Sequence, residues 1–207
     1  MGNISLLRVG GVCAILAVVS GIMGRIAFGN EWLQSRGVDT LIPGHWFDTL
    51  GGLLFMVAAW GFYRVLRQAG PLPLIAVVAI LSGVIFLLFH EFIRLGIAYE
   101  LAPDITDALS QSGWLAAGVG SALLFFIGVP LFSFVILRTS VVPKWIGWLG
   151  LIVVAAQVAL LTVLSGVFES IRPPWLLANG TFLGWLLSMG VVLLRLKEPV
   201  APDGAKS

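Results

Sequence analysis

The chain has 207 residues, of which 59% are hydrophobic and 11% are charged, and its formal net charge is +2. This composition, with a mean hydropathy of +1.04, excludes an ordinary soluble domain, a disordered chain and a nucleic-acid-binding protein. The single cysteine, Cys13, excludes an intramolecular disulfide and a cysteine metal cage. We therefore predict a protein that is embedded in a membrane.

Six stretches are long and apolar enough to cross a bilayer, whose hydrocarbon core of about 30 Å needs about 20 helical residues. The predicted spans are residues 7–28, 46–66, 72–98, 114–137, 145–167 and 175–194. The first is too long and too rich in glycine for a cleaved signal peptide, so we count it as a span. We predict an all-α integral membrane bundle of six transmembrane helices. Residues 1–207 form one transmembrane domain in this prediction, and 195–207 are its cytoplasmic tail.

Basic residues predict the orientation of the spans, because Lys and Arg are retained on the cytoplasmic side during insertion. One side of the predicted bundle carries eight of them: Arg8, Arg64, Arg67, Arg138, Lys144, Arg195, Lys197 and Lys206. The other side carries four: Arg25, Arg36, Arg94 and Arg172. Both termini are therefore predicted to be cytoplasmic, in a multi-pass protein of the cytoplasmic membrane.

Local features add further expectations along the chain. Residues 102–109, in the loop before span four, predict a short interfacial helix with acidic residues in its first turn. Pro130 predicts a kink in span four. Asn179 in span six is suited either to a polar ligand head or to a hydrogen bond with a neighbouring helix. Small residues predict close helix packing or the docking of a partner, and the glycines assigned to this role are Gly51, Gly52, Gly118, Gly180 and Gly184.

Ionisable residues within the spans are the main candidates for function, because each costs at least ~2.5 kcal/mol to insert. Spans one to three place their polar groups at one level near the outer edge of the bilayer. These groups are Arg25, His45, Asp48, His90, Glu91 and Arg94. On span three, Gly83, Leu87, His90 and Arg94 recur every three or four residues, which predicts a stripe that faces the bundle interior.

Three interpretations of this polar level remain open. His45, His90, Asp48 and Glu91 have the donor atoms for a divalent metal such as zinc or non-haem iron, and the two histidines suit axial haem ligation. Alternatively, the charges neutralise one another, with Glu91 paired to Arg94 on the same helix and Asp48 to Arg25 or a histidine. The third interpretation is a transport cavity lined by Arg25, Asp48, Glu91 and Arg94.

Two segments of the sequence carry a family resemblance. Residues 141–150 read VVPKWIGWLG, and residues 7–11 read LRVGG. With the six-span layout, these segments resemble a bacterial family of uncharacterised membrane proteins, a domain of unknown function. The resemblance implies a small bacterial inner-membrane protein and transfers no catalytic residues.

The functional expectation is a non-catalytic binding or accessory subunit of a membrane complex, because the soluble segments are too small to hold an active site. Its expected partners are membrane lipid and a membrane protein or a second copy of the chain, and nucleic acid is not expected. The alternatives are a metal- or haem-binding redox protein or enzyme at His45 and His90, and a small transporter.

Overall fold

A computed structural model of the chain describes residues 6–28, 41–98, 103–164 and 174–196. This part is helical apart from short turns and contains no strand. Six of its helices are long and apolar enough to cross a membrane, which confirms the predicted all-α, multi-pass architecture. The loops at 29–40 and 165–173 and the predicted tail from 197 lie outside the described residues, and the membrane orientation stays a prediction.

The helices are numbered in chain order. They are α1 (Leu6–Phe28), α2 (Leu41–Leu66), α3 (Leu72–Ala98), α4 (Pro103–Ser121, Ala122–Gly128 and Val129–Arg138), α5 (Lys144–Leu164) and α6 (Pro174–Arg195). The middle part of α4 is π-helical. A 3-10 turn, Arg67–Ala69, ends at Gly70, which has a φ of 99°. Glycine adopts this conformation without strain, so the chain can reverse there into α3.

Two helices begin several residues earlier than their predicted spans. α4 begins at Pro103, whereas the predicted span began at residue 114. The separate interfacial helix predicted over residues 102–109 is wrong, because 103–109 form the first turns of α4. Proline suits the first position of a helix, where its missing N–H is not needed. α2 likewise begins at Leu41 rather than at 46, and it accommodates Pro43 in its first turn.

The six helices form a closed ring in which each helix packs against its neighbours in the sequence and α6 returns to α1. Neighbouring helices are antiparallel, because Gly10 faces Gly61 at one end of the α1–α2 pair and Gly24 faces Asp48 at the other. Short connections allow only such up-and-down packing. We call the end that carries Leu6 and Leu196 the terminal end, and the opposite end the distal end.

Glycines bring the backbones of neighbouring helices into direct contact. A Cβ on Gly83 of α3 would lie 2.7 Å from the carbonyl oxygen of Gly120 in α4, and one on Gly11 of α1 would lie 2.8 Å from that of Gly190 in α6. Helices approach this closely only where side chains are absent. These pairs allow the ring to close tightly.

The predicted packing glycines have different surroundings. At Gly51 the nearest atom to an added Cβ is 3.5 Å away, and at Gly52 it is 3.0 Å away on Leu88 of α3. At Gly118, Gly180 and Gly184, an added Cβ meets no atom of the described residues within 4 Å. Among the described residues these three glycines therefore make no close helix contact, and the alternative expectation that they dock a partner stays a prediction.

The π-helical part of α4 ends two residues before Pro130. Proline has no N–H to donate and its ring clashes with the carbonyl of the preceding turn, so the regular hydrogen-bond pattern is interrupted there. The expected disturbance by Pro130 therefore takes the form of a wider helical turn. This turn contributes Phe125 to the centre of the ring and packs Gly128 directly against Ile80 of α3.

The terminal half of the ring is filled by aromatic side chains. Phe62 of α2 contacts Phe132 of α4 and Trp185 of α6 edge to face, with ring centroids 6.3 and 6.1 Å apart. All three side chains are fully buried. We call these three residues the aromatic plug. It closes the interior at this level, and the open space lies on its distal side.

Candidate functional site

A buried hydrogen bond joins α2 to α3 near the distal end. The Nδ1–H of His45 donates to Oε2 of Glu91 over 2.6 Å, and His45 is only 6% exposed. A carboxylate in such a place is costly unless a donor satisfies it. His45 therefore fixes the position of the Glu91 carboxylate. The predicted pairing of Glu91 with Arg94 on the same helix is not formed.

An ion pair joins α1 to α2 at a similar level. The guanidinium Nη2 of Arg25 lies 3.8 Å from Oδ2 of Asp48. Asp48 is mostly buried, whereas the side chain of Arg25 is 46% exposed. Gly24 leaves the space that the Asp48 carboxylate occupies, since a Cβ on Gly24 would lie 2.6 Å from Oδ1. The pairing of Asp48 with Arg25, one of the predicted options, is present.

His90 and Arg94 lie on the side of α3 that packs against α4. The Nδ1–H of His90 donates to the carbonyl oxygen of Gly113 over 2.9 Å. The guanidinium of Arg94 lies 5.9 Å from the ring centroid of Trp114, within reach of a cation–π interaction. The stripe predicted from Gly83 to Arg94 thus faces α4, and Arg94 does not join the other three charges of the predicted cluster.

Of the four predicted metal or haem ligands, the structure brings His45 and Glu91 into contact and places Asp48 on the same cavity wall as Glu91, but His90 lies apart from them. His45 is directed at Glu91 on α3, while His90 is directed at the backbone of α4. Axial haem ligation requires both rings to face one space. In the ranges that the structure describes, no group of three or more His, Cys, Asp or Glu side chains is arranged to hold a metal ion.

A central cavity of about 340 Å³ lies inside the ring on the distal side of the aromatic plug. All six helices contribute to its wall. Each helix also contributes one polar side chain: Arg25, Asp48, Glu91, Ser121, Gln157 and Asn179, in the order α1 to α6. Polar groups that converge from every element of a bundle on one apolar cavity are typical of a ligand-binding site.

Three phenylalanines line the apolar part of the cavity. Phe182 of α6 contacts Phe55 of α2 and Phe125 of α4 edge to face, with ring centroids 5.4 and 5.2 Å apart. Phe182 also stacks on Trp185 of the aromatic plug. The cavity therefore combines six polar side chains with an aromatic surface, and we refer to the three phenylalanines as the aromatic floor.

Gln157 is the cavity residue that sequence reasoning missed. Its side chain is 8% exposed and lines the cavity. The available signal was a lone amide in the apolar run of α5, because an amide buried without partners is costly. Gln157 carries no charge, so a prediction based on ionisable groups does not include it. Asn179, for which the sequence predicts a polar ligand head or a hydrogen bond with a neighbouring helix, lines the cavity.

No protein-family model, curated protein or solved structure matches this chain. The resemblance to a bacterial family of uncharacterised membrane proteins therefore stays a prediction.

Proposed function

We propose that this protein is a non-catalytic binding protein of the cytoplasmic membrane that holds a small amphipathic molecule in its central cavity. The polar part of the ligand contacts the six polar side chains, and the apolar part lies on the aromatic floor. The proposal also includes a role for the protein as the binding subunit of a larger membrane complex.

The observation that carries the proposal is the buried amide of Gln157. The side chain is 8% exposed and lies on the cavity wall, where a ligand or ordered water completes its hydrogen bonds. Gln157 faces the same space as Glu91 and Asn179. A ligand with its own donors and acceptors would contact Gln157 and Glu91 together.

The size of the cavity supports a small ligand. A volume of about 340 Å³ lies at the lower end of the range for small-molecule sites. It corresponds to on the order of ten water molecules at about 30 Å³ each. This space accommodates one aromatic or short aliphatic group with a polar head, and it is too small for a haem.

The aromatic plug favours binding over transport. A solute that leaves the cavity towards the terminal end has to pass Phe62, Phe132 and Trp185, which are fully buried. In the described part of the chain, the six polar residues of the cavity all lie on the distal side of this plug. A transport path needs polar groups on both sides of such a barrier.

Native mass spectrometry tests the proposal on protein purified from its own membrane in a mild detergent. We expect a peak at 22.1 kDa plus the mass of a small molecule, and additional subunits if the protein belongs to a complex. Gln157→Leu should lose most of the bound mass because it removes the buried amide. Gln111→Leu is the matched control, since Gln111 is exposed on α4. A bare protein in every preparation, or equal retention by both variants, contradicts the proposal.

The orientation within the membrane is tested by cysteine labelling. In a Cys13→Ala background, Ala108→Cys places a thiol on an exposed position of α4 near the distal end, and Ser140→Cys places one in the exposed turn at the terminal end. An impermeant maleimide should label Ala108→Cys in spheroplasts, and Ser140→Cys only after the membrane is opened. The reverse pattern would show that the termini are not cytoplasmic.

A further inference from the structure

We infer that the cavity selects a cation, so that its ligand is an amphipathic ammonium compound. This inference rests on the proposed function and specifies the chemical class of the ligand. It follows from the charges, the hydrogen bonds and the aromatic rings that surround the cavity.

The charged side chains that line the cavity are not balanced. Asp48 and Glu91 each carry one negative charge in the ionised form, and Arg25 carries one positive charge. Ser121, Gln157 and Asn179 are neutral. With the His45 ring that is bonded to Glu91 counted as neutral, the sum is minus one, and an unbalanced charge is costly among apolar walls. A ligand with one positive charge removes this imbalance, whereas an anion would double it.

Arg25 already forms an ion pair with Asp48. The two groups are 3.8 Å apart, and the Arg25 side chain extends to a half-exposed position. The mostly buried Glu91 carboxylate is held in place by His45 through Oε2 alone. Its other oxygen, Oε1, accepts no hydrogen bond from any residue in the described ranges. Glu91 is therefore the carboxylate best placed to receive an ammonium group.

The aromatic floor suits the same ligand class. The faces of aromatic rings attract a cation within about 6 Å of the ring centroid, and proteins recognise quaternary ammonium groups with clusters of aromatic rings. Phe55, Phe125 and Phe182 also provide the apolar surface for the body of the ligand. A carboxylate and three phenylalanines that line one cavity together favour a cation with an apolar substituent.

Titration calorimetry of the detergent-solubilised protein at pH 7 tests this inference with three probes of similar size. The probes are benzyltrimethylammonium, the neutral benzyl methyl sulfone and the anionic phenylmethanesulfonate. We expect the ammonium to bind at least about tenfold more tightly than the other two, which corresponds to about 1.4 kcal/mol. Equal affinities, or tighter binding of the sulfone or the sulfonate, would overturn the inference.

Two variants that change the charge of the cavity wall in opposite directions strengthen the test. Glu91→Gln should weaken binding of the ammonium about tenfold or more, and Arg25→Gln should strengthen it, because it removes the positive charge from the wall. Asp107→Asn is the control, since Asp107 is exposed on α4 and does not line the cavity. If Glu91→Gln does not fold, Arg25→Gln still decides the matter, and weaker ammonium binding by Arg25→Gln would refute the inference.

The two proposals fail in different ways. If the native spectrum retains a small molecule but the sulfone or the sulfonate is the best probe, the cavity remains a binding site and only its preference for a cation is lost. If the native spectrum shows a bare protein and none of the probes binds, the proposed function itself is overturned.

Discussion

Gly83→Ala should destabilise the protein by about 1–3 kcal/mol, the usual cost of overpacking a close-packed contact. The added Cβ would lie 2.7 Å from the carbonyl oxygen of Gly120 and 2.9 Å from the backbone N of Leu124. Both atoms belong to the backbone of α4, so no side chain can rotate away and the two helices must separate. The free energy of unfolding is measured in dodecylmaltoside micelles by titration with sodium dodecyl sulfate, with tryptophan fluorescence as the signal.

Gly118→Ala is the control, because Gly118 lies on α4, the same helix that Gly83 contacts. A Cβ at Gly118 meets no described atom within 4 Å, so the substitution brings only the intrinsic gain of alanine over glycine in a helix, up to about 1 kcal/mol. The two variants should therefore shift stability in opposite directions. If Gly83→Ala were as stable as Gly118→Ala, the close contact between α3 and α4 would be disproved.

His45→Ala should cost about 1–3 kcal/mol or more, because the Glu91 carboxylate loses its only hydrogen-bond donor among the described residues. The effect is large because both side chains are mostly buried. Glu91→Gln should cost less, since a neutral amide oxygen still accepts from Nδ1–H. The same unfolding titration in micelles measures both changes.

A double-mutant cycle separates this pair from other effects of each substitution. We expect a coupling energy of about 1.5–3 kcal/mol between His45 and Glu91, in the range for a hydrogen bond to a charged group. The control is the cycle between His45 and His90, which contact different helices; independent sites add to within about 0.5 kcal/mol. Strong coupling between the two histidines would instead favour a metal or haem held by both.

The sequence by itself determined the all-helical architecture and the number of spans, because apolar runs of about 20 residues admit no other structure in a membrane. It also located the polar level of α1 to α3, since charged side chains in an apolar run are visible without a structure. The continuous start of α4 escaped prediction because the sequence predicts a separate interfacial helix over residues 102–109, and only packing against α3 joins these turns to the rest of α4.

The tertiary structure alone decided which polar groups meet. Successive residues of a helix point about 100° apart, so His90 faces α4 while Glu91 faces the cavity, although they are adjacent in the sequence. The role of Gln157 is visible only in the tertiary structure, because the packing of α5 in the ring places its side chain on the cavity wall. Spacing along a single helix fixes which residues share a face, but the rotation of each helix depends on contacts such as Gly83 with Gly120. These contacts join residues far apart in the chain, and for that reason the cavity could not be predicted from local patterns.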